Sequence, residues 1–143
     1  MASDEGPPCT VFRLRKAARK ATRSYDQHMA ATGIGIAQCG VLRVIAGADV
    51  ASMSTIADVL DMDRTTLTRN VQPLIRDGLV TVGAGGDGRT RAVRITGEGR
   101  KALATAQGAW REAQARLRKS LGAAELDQLH ALLSRLVERL PDD

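Results

Sequence analysis

The sequence predicts a mainly α-helical fold with a small β-sheet, of the α+β class, in a single domain over residues 1–143. Apolar residues recur at spacings of three and four over most of the chain, which indicates amphipathic helices. Two of these helical stretches are short and meet at the tight turn Asp61-Met62. Two β-type runs flank a glycine-rich segment and predict a hairpin. A chain of this length supplies the core of about one domain.

The N-terminal part predicts two helices separated by a glycine break. Residues 10–31 form the first, because one stripe has helical spacing: Leu14, Ala18, Ala21, Tyr25 and Met29. Gly33-Ile34-Gly35 interrupts the pattern. A second helix is expected over residues 36–46, with these residues able to face a core: Ile36, Gly40, Val41, Val44 and Ile45. Val50-Ala51 is predicted as a short strand that pairs with the hairpin.

The two short helices have capping residues at their starts. Ser52 is a good N-cap for the first helix and Asp63 for the second. The second helix has an apolar face at Leu67, Val71 and Leu74. Two short helices that cross at a tight turn form a helix-turn-helix. Pro73 breaks a local rule, since proline disfavours a helix interior; the helix is expected either to kink there or to end earlier.

Polar side chains crowd the other faces of this second helix. They are Arg64, Thr65, Thr66, Thr68, Arg69 and Asn70. Hydroxyl, amide and guanidinium groups at the front of a helix suit phosphates and base edges in a DNA major groove. A solvated helix face is the alternative interpretation, and the helix by itself does not separate the two.

The hairpin favours the DNA-binding interpretation. Gly78 is expected to end the helix in the left-handed conformation. Strands over residues 79–82 and 91–95 are joined by a glycine-rich tip that carries Arg89, with Arg91 at the start of the second strand. An arginine on such a tip suits a narrow, electronegative minor groove. Residues 36–96 therefore predict a winged helix-turn-helix that binds double-stranded DNA.

The C-terminal part predicts two further helices. Thr96 is expected to cap a helix that reaches about Ser120, and a break at Leu121-Gly122 leads into a last helix. Its apolar set is Leu126, Leu129, Leu133, Leu136, Val137 and Leu140. The helices predicted at the two chain ends, over residues 10–31 and 97–140, together have more apolar surface than the core of one small domain needs. We therefore expect a homodimer that reads a pseudo-palindromic site; a monomeric helical bundle is the alternative.

These segments carry a specific family resemblance. The chain resembles the multiple-antibiotic-resistance regulator (MarR) family of bacterial transcription factors over about residues 9–140. The matching pieces are Ile56-Ala57, the run from Asp63 to Arg69, Asp77-Gly78-Leu79-Val80, Asp87-Gly88-Arg89, Arg94-Ile95-Thr96 and Gly99. The resemblance implies a winged helix-turn-helix with N- and C-terminal dimerisation helices.

The resemblance also implies roles for individual residues. The family motif implies that Asp87 orients an arginine in or near the wing. From the residues themselves, Arg69 is expected at a phosphate rather than at a base, and Arg89 is expected in the minor groove. Arg91 is expected either to be structural or to bind a phosphate. Many relatives release DNA when a small aromatic or phenolic acid binds between the dimerisation helices and the winged region. The candidate effector-binding residues are Arg13, Tyr25, His28 and Arg43. A repressor released by such an effector is therefore the expected function.

Two other functions remain open from the sequence. One branch of the family senses hydroperoxides with a cysteine near the start of the first helix, and Cys9 lies close to it. When Tyr25 is aligned with the tyrosine of that branch, however, Val11 stands at the position of the branch's cysteine. The other cysteine, Cys39, is expected to be a buried small residue. A non-specific architectural DNA binder is the second, but five aspartates keep the winged segment nearly neutral: Asp58, Asp61, Asp63, Asp77 and Asp87.

Composition and motifs argue against other classes. The net charge of +5 favours an anionic partner only weakly, and 2% aromatic residues argue against single-stranded nucleic acid. Two distant cysteines and the absence of a signal pattern or long apolar run predict a cytoplasmic protein that does not enter the membrane. The G-x-G-x-x-G match at residues 83–88 precedes a strand rather than a helix, so no nucleotide cofactor is expected. The histidines and cysteines do not have the spacing of metal ligands, so no metal is expected. The sequence shows no nucleophile with its base and no paired carboxylates in an evident pocket, so no enzyme is expected.

Overall fold

A computed structural model describes residues 8–48, 50–86, 88 and 91–141. The described chain folds into helices with a small antiparallel sheet, as the sequence predicts. Its elements are α1 (Thr10–Met29), a 3-10 turn (Ala30–Thr32), α2 (Ile36–Gly47), β1 (Ala51–Ser52), α3 (Met53–Leu60), α4 (Arg64–Arg76), β2 (Val80–Ala84), β3 (Arg91–Ile95), α5 (Gly97–Leu121) and α6 (Ala123–Arg139).

The sheet has three strands in the order β1-β3-β2, and both pairs are antiparallel. Ala51 pairs with Val93, so the predicted first strand does pair with the hairpin, although it lies one residue later than expected. β2 also starts one residue late, because Leu79 still belongs to the helix end. Its amide donates to the Leu74 carbonyl at 2.8 Å, and Gly78 takes the predicted left-handed conformation with φ +73°. The Gly78 amide also donates to the Ile75 carbonyl at 3.0 Å, and the two bonds form a Schellman motif at the end of α4.

The core lies where α2, α3, α4 and α5 meet the sheet. Cys39 is buried, as expected from the sequence. Leu42 is also fully buried, although it is not among the residues of α2 that the sequence predicts to face the core. The reason is that α2 packs against α3, α4, α5 and β3, so its buried surface is wider than one stripe.

The proline inside α4 does not end the helix. α4 continues through Pro73 to Arg76, so an earlier end is wrong. Pro73 has no amide hydrogen for the carbonyl of Arg69 four residues before it. Its own carbonyl accepts from the Asp77 amide at 3.0 Å, which keeps the last turn closed.

The helices at the two chain ends leave much of their apolar surface uncovered. In α6, Leu126 is fully buried, whereas Val137 is 72% exposed. Other exposed apolar side chains of α1, α6 and the residue after it are Val11, Phe12, Leu14, Leu129, Leu132, Leu133 and Leu140. Within the described ranges no single helix is long and apolar enough to cross a membrane, while the bent pair Thr10–Thr32 and Ile36–Gly47 meets those limits by length and composition alone.

Candidate nucleic-acid interface

The start of α4 is fixed by its cap. The Asp63 carboxylate accepts from the Thr66 amide at 2.8 Å and from the Thr66 hydroxyl at 2.9 Å. These bonds, the backbone one first, hold the pKa of Asp63 below its ordinary value. Asp61 ends α3 in the left-handed conformation, φ +47°, which aspartate tolerates better than most residues. The turn between the two helices is therefore set by side-chain and backbone bonds.

The polar residues of α4 do not share one face. Leu67, Val71 and Leu74 are buried and define the side that faces the core. At about 3.6 residues per turn, Thr65 and Arg69 project on the opposite side, and both are exposed. A hydroxyl and a guanidinium in this position can reach base edges or phosphates of a groove that receives the helix.

On one flank of α4 the predicted DNA-binding residues bond to the protein itself. The Asn70 amide nitrogen donates to the Thr66 carbonyl at 3.0 Å and lies 3.8 Å from the Met62 sulfur. The Thr66 hydroxyl donates to Asp63, as described above. Asn70 keeps its carbonyl oxygen as an acceptor, so this flank offers acceptors more readily than donors.

On the other flank Arg64 reaches back to the preceding helix. Its Nη1 donates to the Ser54 hydroxyl of α3 at 3.1 Å, a contact that no sequence pattern indicated. The Thr68 hydroxyl donates to the Arg64 carbonyl at 2.8 Å. Arg64, Thr68 and Arg91 line one cleft of about 230 Å³ between α4 and the hairpin. The structure therefore places Arg64 of α4 and Arg91 of β3 at the wall of the same cleft.

The predicted wing residues are only partly within the described chain. Arg91 begins β3 and is exposed, while Asp87 and Arg89 lie outside the described residues. Gly88, between them, has a positive φ of 71°. The roles of Asp87 and Arg89 therefore stay predictions from the sequence.

A second cavity lies away from this interface, between α1, α5 and α6. It measures about 380 Å³ and has mostly apolar walls. Tyr25 lines it, and the Tyr25 hydroxyl donates to the side-chain amide oxygen Oε1 of Gln114. Burial raises the pKa of Tyr25. Trp110 forms another wall, and the Arg43 guanidinium lies 5.6 Å from its ring centre. This cation–π distance is favourable.

The four candidate effector residues are therefore separated. Tyr25 lines the cavity and Arg43 contacts its wall through Trp110. His28 instead has its Nδ1 at 2.7 Å from the Ser24 carbonyl, and neither His28 nor Arg13 lines this cavity. Gln114 was missed by the sequence analysis, because a lone glutamine in a long helix carries no pattern.

The two cysteines occupy different environments. Cys9 is exposed at the N-cap of α1, whereas Cys39 is buried. Burial raises the pKa of the Cys39 thiol, and the charge of Arg43 opposes that shift. Among the residues that the structure describes, no group of three metal-ligating side chains comes together.

Comparison with known proteins gives one consistent family. The sequence profile of the MarR family matches residues 32–90. The M. tuberculosis transcriptional regulator MosR is 35% identical over 97% of this chain and 100% of that chain, with a TM-score of 0.77. The same regulator in complex with DNA is 34% identical over 93% of this chain and 100% of that chain, with a TM-score of 0.76.

A more distant solved structure is also a DNA complex. A mutant MarR from E. coli complexed with operator DNA is 25% identical over 90% of this chain and 91% of that chain, with a TM-score of 0.79. No curated protein sequence matches the chain.

Proposed function

Because the chain belongs to the MarR family of non-enzymatic, DNA-binding transcriptional regulators, we propose that it is a sequence-specific homodimeric repressor. The observation that carries sequence specificity is the exposed side of α4 opposite its buried face. Thr65 and Arg69 project there, on a helix whose start is fixed by the Asp63 cap. Base-edge contacts need side chains held in a fixed position, and a well-capped helix provides that.

Homodimer formation is supported by the uncovered apolar surface of α1 and α6. Exposed apolar side chains concentrated at the chain ends are typical of an interaction surface. In this proposal residues 10–31 and 97–140 form the dimerisation region, and residues 36–96 bind DNA. A two-fold symmetric dimer would place two copies of α4 on half-sites about one helical turn apart.

Release by a small aromatic or phenolic acid is supported by the 380 Å³ cavity. Pockets for small organic ligands run from about 300 to 1,000 Å³ and combine apolar walls with a few polar groups. Here the polar lining residues are Thr22, Tyr25, Gln114 and His130, and Arg43 over Trp110 supplies a nearby positive charge. In a dimer, the partner chain would close the open side of the cavity, since Leu129 and Leu133 belong both to its wall and to the exposed apolar surface.

Selection of bound duplexes from a random pool tests sequence specificity. We expect an enriched pseudo-palindrome, bound at least tenfold more tightly than a scrambled duplex of equal length and composition. Enrichment of no sequence, with equal affinity for both duplexes and strong salt dependence, would instead support a non-specific architectural binder.

A pair of valine variants tests the dimer. Val137 in α6 is 72% exposed, and Val50, which lies just before β1 and outside the chain-end helices, is 50% exposed. Val137→Asp should shift the sedimentation coefficient from dimer towards monomer, while Val50→Asp should leave it unchanged. A monomeric wild type, or equal behaviour of the two variants, would overturn the proposed interface.

Aromatic acids and a peroxide distinguish release by a small-molecule effector from release by cysteine oxidation. Benzoic and salicylic acid should release the selected duplex, and Tyr25→Phe should raise the concentration required. Release by hydrogen peroxide that Cys9→Ser abolishes, with no effect of either acid, would replace effector release with a redox trigger.

A further inference from the structure

The cleft between α4 and the hairpin has the chemistry of an anion site. The polar residues that line it are Arg64, Thr68, Gln72 and Arg91, and apolar Met53, Val71, Ile75 and Val82 form the rest of its wall. None of the described side chains around it is acidic. Two like charges that face one small space repel each other, and an anion between them converts this repulsion into attraction. At about 230 Å³ the cleft is smaller than the usual pocket for an organic effector.

The position of Arg64 on its helix also separates it from the base-reading side. Thr65 and Arg69 project opposite the core, whereas Arg64 and Thr68 lie on the flank towards the hairpin. The bond from Arg64 Nη1 to the Ser54 hydroxyl keeps the guanidinium beside α3 and the cleft. An arginine held there is displaced from the base edges that α4 would meet.

The proposed mode of binding puts one particular anion in this cleft. If α4 lies in the major groove and the hairpin reaches the adjacent minor groove, the sugar–phosphate strand that separates the two grooves passes between them. We propose that Arg64 and Arg91 together bind one phosphate of that strand, and that Ser54 is a positioning residue for Arg64. This inference rests on the proposed DNA-binding mode and assigns Arg64 to the DNA backbone instead of to a base.

Salt dependence of binding provides the first test. Each phosphate neutralised by a protein cation contributes about 0.9 to the slope of log affinity against log salt concentration. Because the two arginines share one phosphate, Arg64→Ala and Arg91→Ala should each lower that slope by no more than about 0.9 per half-site, and the double variant should lower it by no more than the same amount. Each should weaken the selected and scrambled duplexes by the same factor.

Arg94→Ala is the matched control. Arg94 is exposed on β3, three residues from Arg91 and so on the opposite face of the strand, and it does not line the cleft. Its slope should equal that of the wild type. A loss of discrimination between the two duplexes in Arg64→Ala, at an unchanged slope, would show that Arg64 reads bases and would overturn the proposal.

Neutral methylphosphonate linkages locate the phosphate. In selected duplexes with one such linkage at each position in turn, one position per half-site should weaken wild-type binding. That loss should become smaller in Arg64→Ala and in Arg91→Ala, at the same position in both variants. If the two variants respond at different positions, the arginines do not share a phosphate and the proposal fails.

Ser54 variants test the positioning role. Ser54→Ala should reduce the methylphosphonate effect at that position, and Ser54→Thr, which keeps the hydroxyl, should restore it. An unchanged effect in Ser54→Ala would refute the positioning role. Failure of the proposed function gives a different result, namely a wild-type protein that prefers no DNA sequence. The salt dependence of Arg64→Ala and Arg91→Ala can then still be measured on any duplex.

Discussion

The backbone of Gly99, in the first turn of α5, lies against the backbone of Leu79 at the start of the hairpin. A Cβ on Gly99 would stand 2.0 Å from the Leu79 carbonyl oxygen and 2.7 Å from a side-chain carbon of Ile95. The same carbonyl accepts from the Thr96 amide at 3.0 Å and from the Thr96 hydroxyl at 3.1 Å. These contacts attach the hairpin to α5, the helix that connects β3 to α6.

Gly99→Ala should destabilise the protein, because the added methyl group meets a backbone carbonyl that two hydrogen bonds from Thr96 hold in place. Overpacking of this kind costs roughly 1–3 kcal/mol, and the backbone contact favours the upper end of that range. The free energy of unfolding in urea measures it. Gly97→Ala is the matched control, since nothing lies within 4 Å of its added Cβ. Equal stability of the two variants would contradict the close approach.

Asp63→Asn should flatten the acid side of the stability profile. The pKa of Asp63 is below its ordinary value of 3.8 because the Thr66 amide and hydroxyl donate to the carboxylate. The folded state therefore releases this proton more readily than the unfolded state. The resulting stabilisation is complete above the ordinary value and is lost as the pH falls through the lowered pKa. Asparagine also caps helices but does not titrate.

Unfolding in urea, repeated at intervals from about pH 5 to about pH 2, measures this contribution. The wild type should lose stability over that interval more steeply than Asp63→Asn. Parallel curves for the two proteins would show that the cap contributes nothing to acid sensitivity.

Tyr25 should ionise at higher pH in the folded protein than in the unfolded chain. The chain has a single tyrosine, so absorbance of the phenolate reports on this residue alone. Burial disfavours the charged form and raises the pKa above its ordinary value of 10.0. Because the folded state retains the proton longer, this contribution to stability is complete below the ordinary value and is lost as the pH rises through the raised pKa. The same midpoint in native buffer and in denaturant would contradict a buried hydroxyl.

Tyr25→Phe should lower the free energy of unfolding by about 0.5–1.5 kcal/mol, the usual net contribution of one hydrogen bond. The bond removed is the one that the Tyr25 hydroxyl donates to Gln114. Gln114→Leu removes the acceptor, and the double variant completes the cycle. If the loss of unfolding free energy in the double variant equals the sum of the losses in the two single variants, the hydrogen bond between Tyr25 and Gln114 does not stabilise the protein.

Arg89→Ala should weaken binding to the selected duplex without changing the melting temperature. This prediction comes from the sequence, which puts Arg89 on a glycine-rich tip beside the recognition helix. A minor-groove arginine adds affinity but no contact within the protein core. Fluorescence anisotropy with a labelled duplex measures the affinity, and Arg94→Ala is again the matched variant. Unchanged affinity would refute the wing assignment.

The sequence determined the architecture because its signals are local. The caps Ser52, Asp63 and Thr96 each accept a bond from an amide three residues later, as a capping side chain must. Gly78 takes the positive φ that ends α4, and Leu67, Val71 and Leu74 bury the face that their spacing predicts. These features depend on residues within one or two turns.

Tertiary structure decided what the polar residues contact. Ser54 and Arg64 are ten positions apart, and Tyr25 and Gln114 are 89 apart, so no periodicity relates them. The extent of α2 burial, which includes Leu42, likewise depends on four neighbouring elements rather than on one stripe. Hydrophobic spacing fixes which side of a helix is buried, but the partner of an exposed side chain depends on how separate elements pack. For that reason the sequence predicted α4 as the recognition helix, and only the packed structure separated the side opposite its buried face from its hairpin-facing flank.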